Sequence, residues 1–486
     1  MRTYKIAKKA TAIITDFVQK QVAKLANLAR DLREPKTLIL FLLGAFIRFS
    51  LAPFTEHRWD MYIWRLNQAL VYQYQINPFW PQPGAPLEFA WGYPPLWLFV
   101  LLLIYPFHAL LSPISYPQNA SALWNPYPWQ NMTEMFESYR CFTPQNLPLI
   151  TLINKTPIII ADLLIALVLY KIVKSTNRNY AFYSFYAWLL NPLVIWISSI
   201  WGMFDSIPTL FVLLSLHFIL TKKYNCSAIS LATAVLFKLY PIVLIPVMSL
   251  VIYKIEEKKQ AVKQAVKYFI VSSLVTAMTI FLVYLIAALL SHQEEPLGLS
   301  AKLFFNLFLK RSSPDWMGQN VFQNLTPLIF LNEIFNKLQI VGNIPVSPLL
   351  MGIALVCIMI SILKNKTFSK ENVIAYTIVT HFSLYLTYAV VNEQNLVWVL
   401  PLLLFLAAYR KSIELRYLYW AITLFDVSYM IYRYDLSYFM SPYFLPEYIG
   451  LRIPVDTLIL GLIVCILYVA GIKLAFRKSD SEKKNN

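Results

Sequence analysis

The sequence predicts an all-α polytopic membrane protein, and three observations predict it. Of its 486 residues, 58% are hydrophobic and 14% charged, with a mean hydropathy of +0.54, which is too apolar for a soluble globular domain. Apolar stretches close to the roughly 20 residues that a bilayer-crossing helix needs recur along the chain. The formal charge of +17 is spread as short basic runs between those stretches, which is the positive-inside pattern and not the clustered basic face of a soluble nucleic-acid binder. No nucleic-acid partner is expected.

Residues 1–36 hold nine Lys/Arg but no short apolar core followed by a small-residue cleavage site, so they read as a retained cytoplasmic basic arm. Within it, the spacing of Asp16, Lys20 and Lys24 fits either a basic amphipathic helix on the inner leaflet or a solvated helix. Residues 37–54 are the first span. A long external loop, 55–148, follows, and inside it 95–111 is apolar enough to imitate a second span. If 95–111 stays at the interface, the later spans are 149–170, 180–199, 206–221, 224–237, 240–253, 268–291, 347–363, 373–391, 394–409, 417–434 and 455–472. The cytoplasmic segments then carry 30 of the 42 Lys/Arg; if it crosses, the bias inverts. The expected fold therefore has about 12 transmembrane helices, with both termini cytoplasmic and juxtamembrane helices in the first external loop. A second large external loop covers 292–346, and 473–486 form a cytoplasmic basic tail. The short pair 224–237 and 240–253 meets at the outer boundary near Lys238. Asn119-Ala-Ser and Asn131-Met-Thr are N-glycosylation triplets that suit an external first loop. Cys141, Cys226, Cys357 and Cys465 contain no CxxC pair, so neither a zinc site nor a disulfide framework is indicated.

Polar groups from distant stretches collect on the expected outer side. They are Glu56 to Asp60, Trp91-Gly92-Tyr93-Pro94-Pro95, Trp201 to Asp205, Lys238-Leu239-Tyr240-Pro241, Asp315 to Asn320 with Arg311 before them, and Asn392-Glu393-Gln394-Asn395. Ionisable groups at such depths are costly unless paired or set in a wet cavity, so their one-sided convergence points to a site. Asp162, Arg48, Asp426 and His381 fall inside spans; Asp162 reads as a helix-pairing or cavity residue, and His381 as one satisfied by a hydrogen bond between helices.

An acid in the first loop, then Tyr93-Pro94-Pro95 opening a juxtamembrane helix, resembles the GT-C superfamily of lipid-phosphate-sugar-dependent glycosyltransferases. Thr156-Pro-Ile-Ile-Ile-Ala-Asp162-Leu-Leu resembles an ADLL span of that family, and Asn191-Pro192 followed by Trp201-Gly-Met-Phe-Asp205-Ser is similar to its NP and G-x-x-D/N-S elements. Lys238-Leu-Tyr240-Pro241 resembles a K-x-x-P element, and Val391-Asn392-Glu393-Gln394 ahead of Leu400-Pro401 a late V-H-E-K or S-Q-Y element. The resemblance runs from about residue 37 to 405. It is nearest to the enzyme adding the first mannose to GPI anchors, to prokaryotic polyprenyl-phosphate-mannose mannosyltransferases and to dolichol-phosphate-glucose glucosyltransferases. Two departures stand out: Arg58-Trp59-Asp60 replaces a D-x-D, so a divalent metal (Mg or Mn) is possible but not implied, and Asn392 replaces a His.

The resemblance implies a hexosyltransferase, most closely a mannosyltransferase. It would move a sugar from a polyprenyl- or dolichyl-phosphate donor to a lipid-linked or membrane-presented glycan at the external face. The residues suit that chemistry. An inverting displacement needs one carboxylate base, for which Asp60 is the first candidate and Glu56 the second. The leaving phosphate wants cations, from Arg58, Lys238 and Arg311. Trp91, Tyr93 and Trp201 either stack on sugar or polyprenyl chain or form an interfacial aromatic belt; Asp205, Tyr240, Asp315, Glu393 and Gln394 complete the expected substrate site. Membrane lipids and a small membrane subunit are possible further partners. The location is a cell membrane, with the endoplasmic reticulum membrane as alternative. The rival function is a transporter or flippase of lipid-linked saccharides; an inactive scaffold subunit is hard to reconcile with the presence of Asp60, Asp205 and Lys238.

Overall fold

A computed structural model describes residues 34–79, 91–111, 147–291, 295–309, 325, 346–388, 391–444 and 457–477. Every regular element among them is helical. In a bilayer only structures that satisfy each backbone polar group internally can cross, and for a chain patterned in long apolar runs that means helices.

Helix α1 (Pro35–Leu51) starts on a proline at its first turn, where the missing N–H costs nothing, and ends in a 3-10 turn, Ala52–Phe54. Helix α2 (Arg58–Tyr72) and α3 (Pro95–Leu111) run parallel, side by side. The ring of Trp64 meets that of Trp97 at 5.1 Å, Gln68 Nε2 donates to the Leu101 carbonyl at 2.8 Å, and the ring of Tyr72 stacks on that of Tyr105 at 4.4 Å. Helix α4 (Leu147–Lys174) is the buried central helix and touches α1, α3 and α5 (Arg178–Leu189). The short α6 (Pro192–Ile195) passes into a π-helix, Trp196–Trp201. A hairpin of α7 (Ser206–Leu220) and α8 (Tyr224–Phe237) is followed by a 3-10 turn, Tyr240–Val243, and α9 (Leu244–Ile255). Then come α10 (Lys258–Leu290), α11 (Pro296–Leu309), α12 (Val346–Lys364) and α13 (Lys370–Thr387). A 3-10 helix, Glu393–Trp398, leads into α14 (Leu400–Arg410), α15 (Ile413–Phe444) and α16 (Thr457–Phe476).

Among the described residues, four helices are long and apolar enough to cross a bilayer unaided (Pro35–Phe54, Leu147–Lys174, Lys258–Leu290 and Ser347–Lys364), and α5 with the Pro192–Trp201 segment makes a fifth, bent by 42°. The protein is thus an all-helical membrane protein. The twelve spans expected from hydropathy are not confirmed, because α7, α8 and the Tyr240–Ile255 segment are each shorter than a crossing by themselves.

Side-chain contacts define two ends of the bundle. At one, Arg178 pairs with Glu34 at 3.1 Å, and the Arg416 guanidinium lies 5.3 and 5.4 Å from the ring centres of Tyr180 and Tyr183. Arg410 pairs with Glu371 and donates to the carbonyls of Leu474 (2.7 Å) and Ala475 (2.9 Å). Lys254 Nζ donates to the Leu363 carbonyl at 3.0 Å. This basic end gathers the connections 171–178, 254–258 and 364–370. The opposite end holds Glu56, Thr151, Trp201, Asp205, Lys238 and Trp398.

Between the two ends, Arg48 of α1 joins Asp162 of α4 through a 2.8 Å Nε contact, both fully buried, and Ser206 Oγ donates to the other carboxylate oxygen at 3.0 Å. Asp162 is therefore a helix-pairing residue. His381 differs from expectation: its Nδ1 lies 2.8 Å from the Thr377 carbonyl one turn back on the same helix, so the ring is held within α13 and not between helices.

Candidate functional site

The site end is built where chain breaks meet. Asn191 caps α6, with Oδ1 accepting from the Val194 amide at 3.1 Å, and its amide nitrogen donates to Tyr419 Oη (2.6 Å) and Thr423 Oγ1 (2.8 Å). The wider turns of the following π-helix leave the carbonyls of Ser199 and Ile200 for a side chain, and Lys155 of α4 takes both, at 2.7 and 3.0 Å, together with the Thr55 carbonyl. Gly202 then turns the chain with φ +89°, a left-handed conformation that L side chains resist. A Cβ there would stand 2.7 Å from Lys155 Cε. This turn delivers Trp201, Phe204 and Asp205 to the site.

Three of the site's acids are closed. Glu56 is fully buried and takes both terminal nitrogens of Arg65, at 2.8 and 3.0 Å, with Thr151 Oγ1 donating at 3.0 Å. Asp205, also fully buried, takes Lys238 Nζ on both oxygens (2.7 and 2.9 Å) and the indole N–H of Trp398. Glu393 pairs with Arg433 at 3.0 Å, and the Tyr434 hydroxyl donates to the same oxygen at 3.4 Å. A carboxylate so engaged has given its lone pairs to fixed donors.

Asp60 is the open one, with its side chain 18% exposed. Trp201 Nε1 donates to it at 2.7 Å, and His57 Nδ1 stands 2.9 Å from the same oxygen. Burial raises its pKa, but the charge and hydrogen bond of His57, the Trp201 bond and the charge on Lys238 together hold the carboxyl below its ordinary value of 3.8. Asp60 is thus an ionised acceptor at neutral pH, and a weak base. The His57 ring is stacked on Trp201 at 4.3 Å with planes 10° apart, and its Nε2 is 3.4 Å from the Tyr438 hydroxyl.

Aromatic rings join these groups into one body. Tyr240 stacks on Trp398 at 3.5 Å and Tyr434 meets Trp201 edge-on at 5.3 Å. The ring of Tyr93 meets Phe204 at 5.2 Å, and Trp91 meets Tyr93 at 5.8 Å. Of the residues expected from the sequence, Glu56, Asp60, Trp91, Tyr93, Trp201, Asp205, Lys238, Tyr240 and Glu393 come together. Arg58 opens α2 among them, buried, and Gln394 lies beside Glu393, also buried. Arg311 and Asp315 lie outside the described residues. Sequence reasoning missed Arg65, Thr151, Lys155, Trp398 and Arg433. For Lys155 and Arg433 a signal existed, a cation inside an otherwise apolar run, which in a membrane demands a named partner. Among the described residues, no three His, Cys, Asp or Glu side chains converge as a metal ion would require.

None of the curated proteins compared with the chain matches it. Residues 136–318, from just before α4 into the second large loop, match the profile of a family described as GPI transamidase subunit PIG-U. That match overturns the expected enzyme: the family is one of transamidase subunits, and neither a mannosyltransferase nor any other lipid-phosphate-sugar glycosyltransferase.

Proposed function

We propose that the chain is a non-catalytic membrane subunit of a GPI transamidase assembly, and that its site end holds the glycan of the lipid acceptor. The family match supplies the assembly. The observation that carries the role within it is the closure of Glu56, Asp205 and Glu393 in buried ion pairs. Acids fixed in this way hold a shape and do not cycle protons. Asp60, the part-exposed acid of this end, offers what sugar recognition needs, an ionised acceptor for hydroxyl groups, with the half-buried ring of Tyr93 at the same end. Transamidation also needs a nucleophile. Cys226, Cys357 and Cys465, on α8, α12 and α16, are not among the side chains gathered at the site end, and Cys141 lies outside the described residues; in this reading the nucleophile comes from another chain of the assembly.

The test is to purify the full-length chain with an affinity tag from its own membranes in mild detergent, followed by native mass spectrometry and lipid analysis. The expected result is co-purification with further membrane chains and an inositol-phospholipid glycan. The double substitution Asp60→Ala with Trp201→Ala should lower the retained glycolipid about tenfold while leaving the chain composition unchanged, since loss of a charge-assisted hydrogen bond costs on the order of 1.5 kcal/mol or more. A wild-type chain that purifies alone, or glycolipid retention that ignores the double substitution, would sink the reading.

A further inference from the structure

A polar cavity lies at the other end of the bundle, with no part in the site just described. It has a volume of about 490 Å³ and opens where the α7–α8 turn faces the start of α10. Lys222 and Lys223 form one wall; Gln260, Gln264 and Lys267 form the other, spaced so that they share one face of α10. Glu256 is the cavity's one acid, and it is already spoken for. Lys222 Nζ lies 3.2 Å from its Oε1, and the Tyr224 hydroxyl donates to the same oxygen. The Tyr224 bond and Lys222 hold Glu256 below the usual carboxylate range, so it stays ionised and neutralises one lysine. Lys223 and Lys267 have no acid partner among the described residues, which leaves two uncompensated cations in one concavity. The first turn of α8 also opens here, adding amide donors and the positive end of a 14-residue helix.

The depth of the cavity identifies the phase it serves. Helix α10 has 33 residues, about 50 Å at 1.5 Å per residue, whereas a hydrocarbon core is about 30 Å thick. Residues 268–290 alone are charge-free and cover about 35 Å. The charged first turns, Lys258 to Lys267, therefore stand in the headgroup layer, with Lys267 at its inner edge.

We propose that this cavity is a binding site for the phosphate-bearing headgroup of an anionic membrane phospholipid. A phosphodiester or phosphomonoester placed between Lys223 and Lys267 meets both free cations and the α8 amides, while Gln260 and Gln264 offer hydrogen bonds to headgroup hydroxyls. Its acyl chains run along α10 beyond the cavity, where Ile270, Leu274 and Met278 are exposed. The proposal is independent of the glycolipid reading, since the cavity and the site stand at opposite ends of the bundle.

The test is native mass spectrometry of the full-length protein in detergent, titrated with phosphatidylglycerol and, separately, phosphatidylcholine of the same chains. The expected result is retained phosphatidylglycerol adducts at concentrations where phosphatidylcholine gives none. At about fivefold per headgroup-level cation, Lys223→Gln with Lys267→Gln should weaken phosphatidylglycerol binding on the order of thirtyfold, and Lys223→Arg with Lys267→Arg should preserve it. A third arm adds inorganic phosphate in millimolar excess; the lipid should remain bound. Equal binding of the two lipids, or undiminished binding by the Gln pair with an unchanged melting temperature, overturns the proposal. Displacement of lipid by inorganic phosphate also overturns it and makes the cavity a site for soluble phosphate.

Discussion

Burial of charge is the dominant energetic fact for single residues in this protein. Asp205 shows how it is managed, with two contacts from Lys238 and one indole N–H from Trp398 in a place without water access. Removing one partner of such a pair costs more than the pair ever contributes, because the survivor remains buried without compensation. Lys238→Met should therefore destabilise the protein by about 3–5 kcal/mol, read as a lowered melting temperature in detergent, whereas Asp205→Leu combined with Lys238→Met should recover most of that loss. A single Lys238→Met variant as stable as the wild type would show that Asp205 is hydrated. The sequence made Asp205 and Lys238 visible as polar groups at the same expected depth. It carried no sign that they touch, because the pairing spans 33 residues and depends on how two chain breaks meet. The same is true of Glu56: the acid stands out, but its closure by Arg65 depends on Glu56 folding back against α2 and on Thr151 arriving from α4.

At the scale of elements, the site depends on one irregular segment. The π-helix Trp196–Trp201 and the left-handed Gly202 re-aim the chain so that Trp201 faces His57 and Asp60 while Asp205 faces Lys238. An α-helix run straight through this segment would present one face at a time. Periodicity finds one span near 180–199, although a bend of 42° falls in it at the Leu189–Pro192 break, where Asn191-Pro192 stands. The π-turn that follows is equally silent, since it has no composition of its own. Gly202→Ala should cost about 1–3 kcal/mol, from the φ of +89° and from the 2.7 Å approach to Lys155 Cε, a lysine whose ammonium is fixed by four backbone carbonyls. Gly92→Ala supplies the comparison, because nothing lies within 4 Å of its added Cβ and an unobstructed surface substitution moves stability by less than about 0.5 kcal/mol. Equal melting temperatures for the two variants would remove the strained turn from the account of the site.

For the whole molecule, the charge count and the contact pattern give the same answer about the first external loop by unrelated routes. The count says that 95–111 does not cross, because crossing would move to the outside 21 of the 30 cytoplasmic basic residues, all but the nine of the arm. The contacts say so by parity. The chain leaves α1 at the site end, where Glu56 lies against Thr151, and re-enters α4 at that same end. It touches the site end in between, through Tyr93 on Phe204. A lone crossing by α3 after Tyr93 would need a return crossing before Leu147, and residues 112–146 contain no apolar run long enough to make one. Membrane-impermeant maleimide labelling of cysteine variants, in a background without the four native cysteines, reads this directly. Gly92→Cys and Ser121→Cys should label from one face of sealed vesicles, and Lys366→Cys, exposed at the basic end, only from the other. Labelling of Ser121→Cys together with Lys366→Cys would make α3 a true span and would place the loop after it on the side away from Asp60. Labelling as expected puts the long first loop over the site, where it is available to cover a bound glycan, and leaves the lysine-lined cavity facing the opposite leaflet.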